Sequence, residues 1–186
     1  IISRLRRRLR ENQVARGVIM SALFETVPER HRAAIGFDWC ADSAGMVETL
    51  SGHGWLLRHF PRRLATDEGS SFVPAFSLIS MRGEQPPYLV DLIKRSGLRP
   101  ETFVIESMLR RYVEASAYLL FVQALYVEAH TQNVLYEVDA SGGLTGRFAI
   151  RDLSDTSVSI PLRLARRKPL PVLASGFLPA GASFPL

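Results

Sequence analysis

A run of apolar residues at helical spacing, which begins after Pro100, constrains the fold of this 186-residue chain more than any other feature. Apolar side chains recur every three or four residues, at positions 104, 108, 112, 115, 119, 122 and 126. This spacing predicts a helix with one buried stripe, opened by a proline at its first turn. The second half of the run is apolar on almost every side, which predicts that it lies inside the structure.

The residues that follow this helix predict a β-hairpin. Residues 133–138 alternate as a strand, Ser141–Gly143 provide a turn, and residues 148–153 provide the returning strand. Earlier in the chain, composition predicts a strand at 55–60 and a helix that is started by Pro86-Pro87, runs through Lys94 and is closed by Gly97. Together these elements predict an α+β fold, in which an antiparallel sheet or hairpin is backed by long helices.

Polar residues are concentrated where the helix gives way to the hairpin. The segment 128–133 is Glu-Ala-His-Thr-Gln-Asn, and the returning strand carries Arg147, Arg151 and Asp152. Burying polar groups without partners is costly, so such a cluster among core-forming segments indicates a binding or catalytic site. Because His130 directly follows the apolar half of the helix, we expect it to be carried towards the interior.

Cysteine and histidine content disfavours a structural metal framework. Cys40 is alone, and the four histidines lack the spacing of a zinc site. The longest apolar run, 117–127, is shorter than the roughly 20 residues that cross a bilayer. The basic run 4–10 is not followed by the apolar region of a signal peptide. We therefore expect a cytoplasmic protein without membrane association.

The chain carries a formal net charge of +5, and the basic run 4–10 (Arg-Leu-Arg-Arg-Arg-Leu-Arg) is its densest positive segment. Binding to nucleic acid is one interpretation of this run. No recognition motif or interleaved aromatic residue accompanies it, which favours a solvated or partner-facing helix. The predicted organisation is a basic helical segment at 1–35, a main body at 36–165 and a Pro-rich tail at 166–186.

The order of motifs resembles a known enzyme family. A helix, Glu-Ala-His-x-Gln-Asn, a strand, a glycine turn and a strand ending in Arg-Asp are similar to the NRPS-independent siderophore (NIS) synthetases of the IucA/IucC (aerobactin synthetase) family. The segments Leu56–Pro61 and Phe72–Leu78 are similar to two further stretches of that family. Order and rough spacing agree from about residue 50 to residue 155, a little over half of the chain.

The resemblance implies an activity. Enzymes of that family use ATP and Mg²⁺ to adenylate a carboxylate, usually of citrate, and an amine or hydroxyl of a polyamine or amino-alcohol then displaces AMP. This chain would be the central ATP-binding portion of such an enzyme, a fragment of a larger synthetase with several subdomains. We expect these small molecules as its partners, with a homodimer as a possible assembly.

The resemblance also implies roles for individual residues. Arg58 and His130 would be the catalytic groups that face the phosphates. The residues implied for ATP binding are Arg58, His130, Gln132, Asn133 and Arg151. Those implied for magnesium are Glu128 and Asp152. The chemistry agrees, since cations stabilise the charge that develops on the phosphates and hard carboxylate oxygens suit Mg²⁺.

Three departures from the family pattern leave an alternative open. Thr131 stands where the family has glycine, and His59 stands where it has glutamate. The family's serine- and threonine-rich phosphate motif should precede the Arg58 strand, and no convincing copy is found there. A non-catalytic protein that binds a nucleotide or a partner is therefore the second hypothesis.

Structural roles are the alternative for each candidate residue. His130 could cap the carbonyl groups at a helix end, and Glu128 could be an i,i+4 partner within the helix. Arg58 on a strand could be a surface residue. Arg151 and Asp152 are adjacent, so on a regular strand they point to opposite faces and at most one serves the pocket.

Overall fold

The structure is a computed structural model, and it describes residue 17 and residues 20–48, 54–59, 69–128, 130–153 and 156–168. Within 42–48 and 54–59 only the backbone is described. The basic run and most of the Pro-rich tail lie outside the described residues. Their interpretation, with the division of the chain at residues 35 and 165, stays a prediction.

The described helices are α1 at 20–25, α2 at Glu29–Ile35, α3 at Ala75–Ile79, α4 at Tyr88–Ser96, the long helix α5, and α6 at Ile160–Ala165. The long helix α5 joins α-helical sections at Pro100–Phe103 and Arg110–Ala117 to wider π-helical sections at Val104–Leu109 and Tyr118–Val122. Helix α4 follows Pro87 and ends at Gly97 in the left-handed conformation, as predicted. Within the described ranges, every helix is too short or too polar to cross a bilayer.

The described strands are β1 at Phe37–Trp39, β2 at Ala41–Glu48, β3 at Gly54–His59, β4 at Ser71–Pro74, β5 at Leu125–Tyr126, β6 at Val134–Val138, β7 at Leu144–Ile150 and β8 at Ser157–Val158. Four of them form a sheet in the order β1-β7-β6-β4, while β2–β3 and β5–β8 form two-stranded antiparallel ribbons. The predicted α+β class is confirmed.

The predicted hairpin is confirmed as β6 and β7, with Val134 opposite Ile150. The Asp139 carboxylate closes its turn by accepting the backbone N–H groups of Ser141 and Gly143 at 2.9 and 3.0 Å. Strand β1 joins β7 in parallel, so the sheet is mixed rather than wholly antiparallel. Hairpin signals in a sequence report adjacent strands only, which is why this pair was not predicted.

The sheet is buried on both faces. On one face, the predicted stripe of α5 packs against β6 and β7, and Met108, Ala115 and Leu119 are buried there, which confirms the stripe within the helix. Tyr126, its last predicted member, lies in β5 and is 57% exposed, so its assignment to the stripe is wrong. On the other face, Leu135 and Ala149 form a smaller apolar cluster with Cys40 and Phe72. Successive side chains of β6 therefore point into different apolar clusters: Val134 and Tyr136 into the larger one, and Leu135 into the smaller one.

The second half of α5 is only partly enclosed, so the prediction that it lies inside the structure is wrong. Phe121 is 61% exposed, and Leu120 is 38% exposed. The helix ends at Gln123, Ala124 turns the chain with a left-handed φ of 55°, and the next two residues pair with β8. This turn separates the polar segment 128–133 from the helix that was expected to carry it.

We predict that Ala124→Gly unfolds at nearly the same urea concentration as the native protein, whereas Ala124→Val loses at least about 2 kcal/mol. A left-handed residue with a Cβ costs about 1–2 kcal/mol, and a β-branched side chain increases this cost. Glycine avoids it but loses about 0.5–1 kcal/mol more conformational entropy on folding, so the two effects nearly cancel. The matched control is Ala115→Gly, a buried alanine within α5, which should lose about 1 kcal/mol. Equal losses for the two glycine variants would contradict a left-handed Ala124.

Candidate functional site

The predicted polar segment forms a tight turn between β5 and β6. The carbonyl of His130 accepts the backbone N–H groups of Asn133 at 2.8 Å and Val134 at 3.2 Å. His130 is exposed, so the expectation that it points to the interior is wrong. His130 lies at the start of a turn and not at a helix end, so the alternative that it caps helix carbonyl groups is also wrong.

The imidazole of His130 is held by its own turn. The backbone N–H of Gln132 donates to Nδ1 at 3.3 Å, and Nε2 lies 3.3 Å from the side-chain amide nitrogen of Asn133. Asn133 is 7% exposed and anchors an imidazole that stays open to solvent.

Arg151 folds onto this turn from the end of β7. Its backbone N–H donates to the carbonyl of Asn133, and its side-chain Nε donates to the carbonyl of Gln132, both at 2.9 Å. Within the described part of the chain, its two terminal nitrogens have no hydrogen-bond acceptor. The guanidinium is therefore fixed in place while it keeps a fork of donors, the geometry that suits a carboxylate or a phosphate.

Asp152 lies two residues beyond the end of β7 and has a left-handed φ of 63°. Aspartate tolerates this conformation better than most residues. Because β7 stops at Ile150, Arg151 and Asp152 do not lie on a regular strand, so the alternation expected for neighbouring strand residues does not apply to them.

The backbone of Arg58 lies at the same end of the sheet. Strand β2 starts directly after Cys40, whose N–H donates to the carbonyl of Ile150 at 2.8 Å. In the β2–β3 ribbon, Asp42 is opposite Arg58. This pairing places the backbone of Arg58 near the ends of β1 and β7. The structure does not describe its side chain.

A fourth strand end completes this edge. Strand β4 stops at Pro74, opposite Leu135, and the backbone N–H of Phe76 donates to the carbonyl of Thr131 at 3.1 Å. The structure thus brings together most of the candidate residues at one edge of the sheet, which we call the strand-end site. Its members are Arg58 (backbone only), His130, Gln132, Asn133, Arg151 and Asp152.

Arg147 does not belong to the strand-end site, contrary to the cluster proposed from the sequence. Its Nε lies 3.2 Å from a carboxylate oxygen of Glu137, a fully buried residue in the middle of the sheet. Glu137 also accepts the hydroxyl groups of Thr145 at 2.6 Å and Ser70 at 3.3 Å. Arg147 therefore contributes to a buried polar network of the fold.

Glu128 lies on the other side of the turn. It is exposed and lies outside any helix, so the alternative of an i,i+4 helix partner is wrong. With His130, it lines a groove of about 490 Å³ between α5 and the segment that leads to β6. The described residues contain no group of three or more His, Cys, Asp or Glu side chains arranged for a metal ion.

A second cavity, of about 280 Å³, lies between α2 and the starts of β1 and β7. It holds a charged pair that the sequence analysis missed: Arg32 Nη1 lies 3.6 Å from Asp38 Oδ1, and both residues are buried. The Arg32 guanidinium also lies 4.6 Å from the ring centre of Trp39. The signal that could have revealed the pair is the acid Asp38 between the aromatic residues Phe37 and Trp39.

The fold is similar to part of larger proteins of known structure. It is similar to the aerobactin synthetase IucC from a hypervirulent pathotype of Klebsiella pneumoniae, with a TM-score of 0.60 and 21% identity over 80% of this chain. The petrobactin biosynthesis protein AsbB from Bacillus anthracis str. Sterne gives a TM-score of 0.63 and 15% identity over 81%. The ATP-bound aerobactin synthetase IucA from the same Klebsiella pathotype gives 0.54 and 18% over 79%.

The matched regions are 28%, 26% and 29% of those three chains, so this chain spans less than a third of their length. No protein-family model and no curated protein sequence matches the chain. At these identities the likeness is one of fold, and at that level the resemblance stated from the sequence is confirmed. Family membership, site roles, cellular location and oligomeric state stay predictions.

We predict that Asp38 lowers stability as the pH rises. Burial, opposed by the Trp39 backbone N–H and by Arg32, raises the pKa of Asp38 from 3.8 to about 6. The folded protein therefore binds the proton more tightly than the unfolded chain, and the stabilisation present below pH 4 is lost as the pH passes 6. Between pH 4.5 and 7 the free energy of unfolding should fall by about 2 kcal/mol through this group.

Urea unfolding at pH 4.5 and pH 7 measures this change in the free energy of unfolding. In Asp38→Asn the fall of about 2 kcal/mol due to Asp38 should be absent. Asp139→Asn is the matched control. Its carboxyl has a lowered pKa, chiefly through the Ser141 hydroxyl, so it titrates below this range and the variant should retain the loss. A native-like pH dependence in Asp38→Asn would contradict the assignment.

Proposed function

We propose that this chain is the nucleotide-binding part of an ATP-dependent siderophore ligase, which activates a citrate-like carboxylate for condensation with an amine or amino-alcohol. The observation that carries the proposal is the strand-end site, where Arg151 is folded onto the His130–Asn133 turn with donors to spare. The likeness in fold to an ATP-bound aerobactin synthetase supports ATP as the nucleotide.

The chemistry of the strand-end site suits a triphosphate. The fixed fork of Arg151 is able to hold two phosphate oxygens at once. In the proposal, the amides of Gln132 and Asn133 contact the nucleotide, and the exposed imidazole of His130 and the guanidinium of Arg58 face the phosphates. Positive and hydrogen-bonding groups that are already in position stabilise the charge that develops when pyrophosphate leaves.

Glu128 and Asp152 are the carboxylates proposed for Mg²⁺. Glu128 is exposed and makes no hydrogen bond to another described residue, and Asp152 is next to the arginine of the strand-end site. Mg²⁺ commonly takes one or two protein carboxylates and completes its shell with phosphate oxygens and water, so a three-residue cluster is not required. When bound, it would neutralise charge on the phosphates.

The proposed reaction has two steps. A carboxylate oxygen of the first substrate attacks the α-phosphorus of ATP, and the bond to the bridging oxygen breaks as pyrophosphate leaves with the electron pair. The nitrogen or oxygen of the second substrate then attacks the acyl carbon, loses its proton, and displaces AMP. Arg58 and His130 act in the first step, where negative charge is redistributed over the phosphates.

Binding of a nucleotide without catalysis is the second candidate function. Thr131 favours it, because this residue occupies the turn where the family pattern has glycine, and its carbonyl is already bonded to the Phe76 N–H. A β-branched side chain there restricts close approach of the nucleotide to the backbone.

We predict that His130→Ala weakens binding of Mg·ATP at least about tenfold, because a hydrogen bond to a charged phosphate contributes about 1.5–3 kcal/mol. The variant should unfold within about 0.5 kcal/mol of the native protein, since the side chain is exposed. Isothermal titration calorimetry and urea unfolding measure the two effects. Loss of stability with unchanged affinity would show that His130 is structural.

The matched control for this experiment is His31→Ala. His31 Nδ1 lies 2.6 Å from the hydroxyl of Tyr118, far from the strand-end site in sequence and on a different element. That variant should lose stability and keep the native affinity for Mg·ATP. The two histidines thus separate a nucleotide contact from a structural one.

A second prediction separates catalysis from binding alone. The protein in its natural full length should catalyse Mg²⁺-dependent exchange of labelled pyrophosphate into ATP when citrate is added, because adenylation is reversible. Arg151→Lys, which keeps the charge but loses the fork, should reduce the exchange rate at least about tenfold. Binding of Mg·ATP without exchange for any carboxylate tested would favour the second candidate function.

A further inference from the structure

The cavity between α2 and the starts of β1 and β7 brings opposite charges together in a small space of about 280 Å³. Its charged lining residues are Glu29 and Arg32 from α2, Asp38 from β1 and Arg147 from β7. Glu29 is exposed, whereas Arg32 and Asp38 are buried, so the cavity leads from solvent to a buried charged pair. The formal charges of the four residues cancel, so the lining favours neither a simple anion nor a simple cation.

The guanidinium of Arg32 is held in place but is incompletely hydrogen-bonded. It lies 4.6 Å from the ring centre of Trp39, and the Arg32 side chain is only 7% exposed. Its Nε and Nη1 have no hydrogen-bond acceptor among the described residues, because Asp38 Oδ1 is 3.6 Å from Nη1 and so beyond hydrogen-bond range. Buried charged donors without acceptors are costly, so a ligand that brings acceptor oxygens is favoured here.

Asp38 has the complementary deficit. Its carboxylate accepts the Trp39 backbone N–H at 3.0 Å. Burial nevertheless raises the pKa of Asp38 to about 6, because this hydrogen bond and the charge of Arg32 offset burial only in part. A further positive charge in the cavity would stabilise the carboxylate. Each partner of the buried pair therefore lacks something that a ligand is able to supply.

We propose that this cavity binds a small zwitterionic amino acid, with its carboxylate towards the two arginines and its ammonium towards the two acids. The planar fork of an arginine suits a carboxylate, and carboxylates accept hydrogen bonds from an ammonium. Phe37, also in the lining, provides apolar contact for the ligand side chain. A simple carboxylate would add negative charge beside both acids, and a simple amine would add positive charge beside both arginines.

The fold forms the cavity in advance of any ligand. Gly36 ends α2 with a left-handed φ of 64°, and its carbonyl accepts the Phe148 backbone N–H at 2.8 Å. A Cβ at Gly36 would lie 2.9 Å from the carbonyl oxygen of Gly146, so glycine allows α2 to approach β7 this closely. The next residue of β7, Arg147, is held through its Nε by the buried carboxylate of Glu137 at 3.2 Å.

The cavity is separate from the strand-end site. It lies at the starts of β1 and β7, whereas the strand-end site lies beyond their ends. Arg147 and Arg151 are four positions apart, which is roughly 13 Å along an extended chain. Binding of an amino acid in the cavity is therefore additional to the proposed binding of a nucleotide, and either proposal is able to fail without the other.

An NMR titration of the full chain at pH 7.5 and constant ionic strength tests the proposal. The chain has two tryptophans, so Trp55→Phe leaves a single indole N–H signal, that of Trp39 against the Arg32 guanidinium. We expect L-alanine to shift this signal saturably. Acetate and methylamine, which each carry one of its two charges, should bind at least about tenfold more weakly, the loss expected for one charged hydrogen bond. No saturable shift with L-alanine, or equal affinity for acetate or methylamine, would overturn the proposal.

A charge-neutralising variant checks the orientation of the ligand. Glu29→Gln should weaken binding of L-alanine about threefold or more, because it removes a charge that faces the ammonium. It should not weaken binding of acetate. The matched control is Glu101→Gln, since Glu101 is likewise an acid in the first turn of a helix but lies outside the cavity lining, and its affinity for L-alanine should stay native.

Urea unfolding confirms that both variants fold, which is expected because both glutamates are exposed. An unchanged affinity for L-alanine in Glu29→Gln, or an equal fall in Glu101→Gln, would contradict binding in this cavity.

Discussion

The pairing of Val134 with Ile150 sets the geometry of the strand-end site. One step beyond that pair, the Asn133 carbonyl accepts the Arg151 N–H, so the turn that holds His130 and the end of β7 meet in a fixed register. A slip by one residue would move every side chain of the hairpin to the opposite face of the sheet. Because the sheet is buried on both faces, such a slip would disturb two apolar clusters at once.

The polar groups inside the sheet and those at its edge differ in how fully they are hydrogen-bonded. Glu137, fully buried, is matched by two hydroxyl groups and by the guanidinium of Arg147. At the edge, the side chain of Arg151 contacts, among the described residues, only the turn that positions it, and the terminal nitrogens of its guanidinium have no acceptor there. Satisfied networks stabilise a fold, whereas oriented groups with spare hydrogen-bonding capacity are the property that a ligand requires.

Short-range sequence patterns predicted the helices and strands whose formation depends on interactions between residues close in sequence. The stripe of α5 and the hairpin follow from side-chain periodicity and turn residues, and both are present as expected. The turn at Ala124 was missed because alanine gives no signal for a left-handed backbone, and the apolar run through Val127 continued the helical pattern past the point where the helix ends.

The errors in the predicted positions of residues have a related cause. Arg147 was grouped with Arg151 through closeness in sequence, although four residues along a strand separate side chains by about 13 Å. The pairing of β1 with β7 depends on contacts between distant segments, which no local pattern reports. The candidate residues themselves were found because polar groups stand out between core-forming segments, while their mutual geometry required the fold.

The parallel pair of β1 and β7 also has a consequence for how the protein folds. Phe37 and Phe148 are neighbours in the sheet although 111 positions separate them along the chain. Closing so long a loop has a large entropic cost before any contact rewards it, and topologies of this kind fold slowly. On the ribosome, β1 emerges before β7 has been synthesised, so Phe37 and Trp39 stay without their partner strand until the intervening residues have been added.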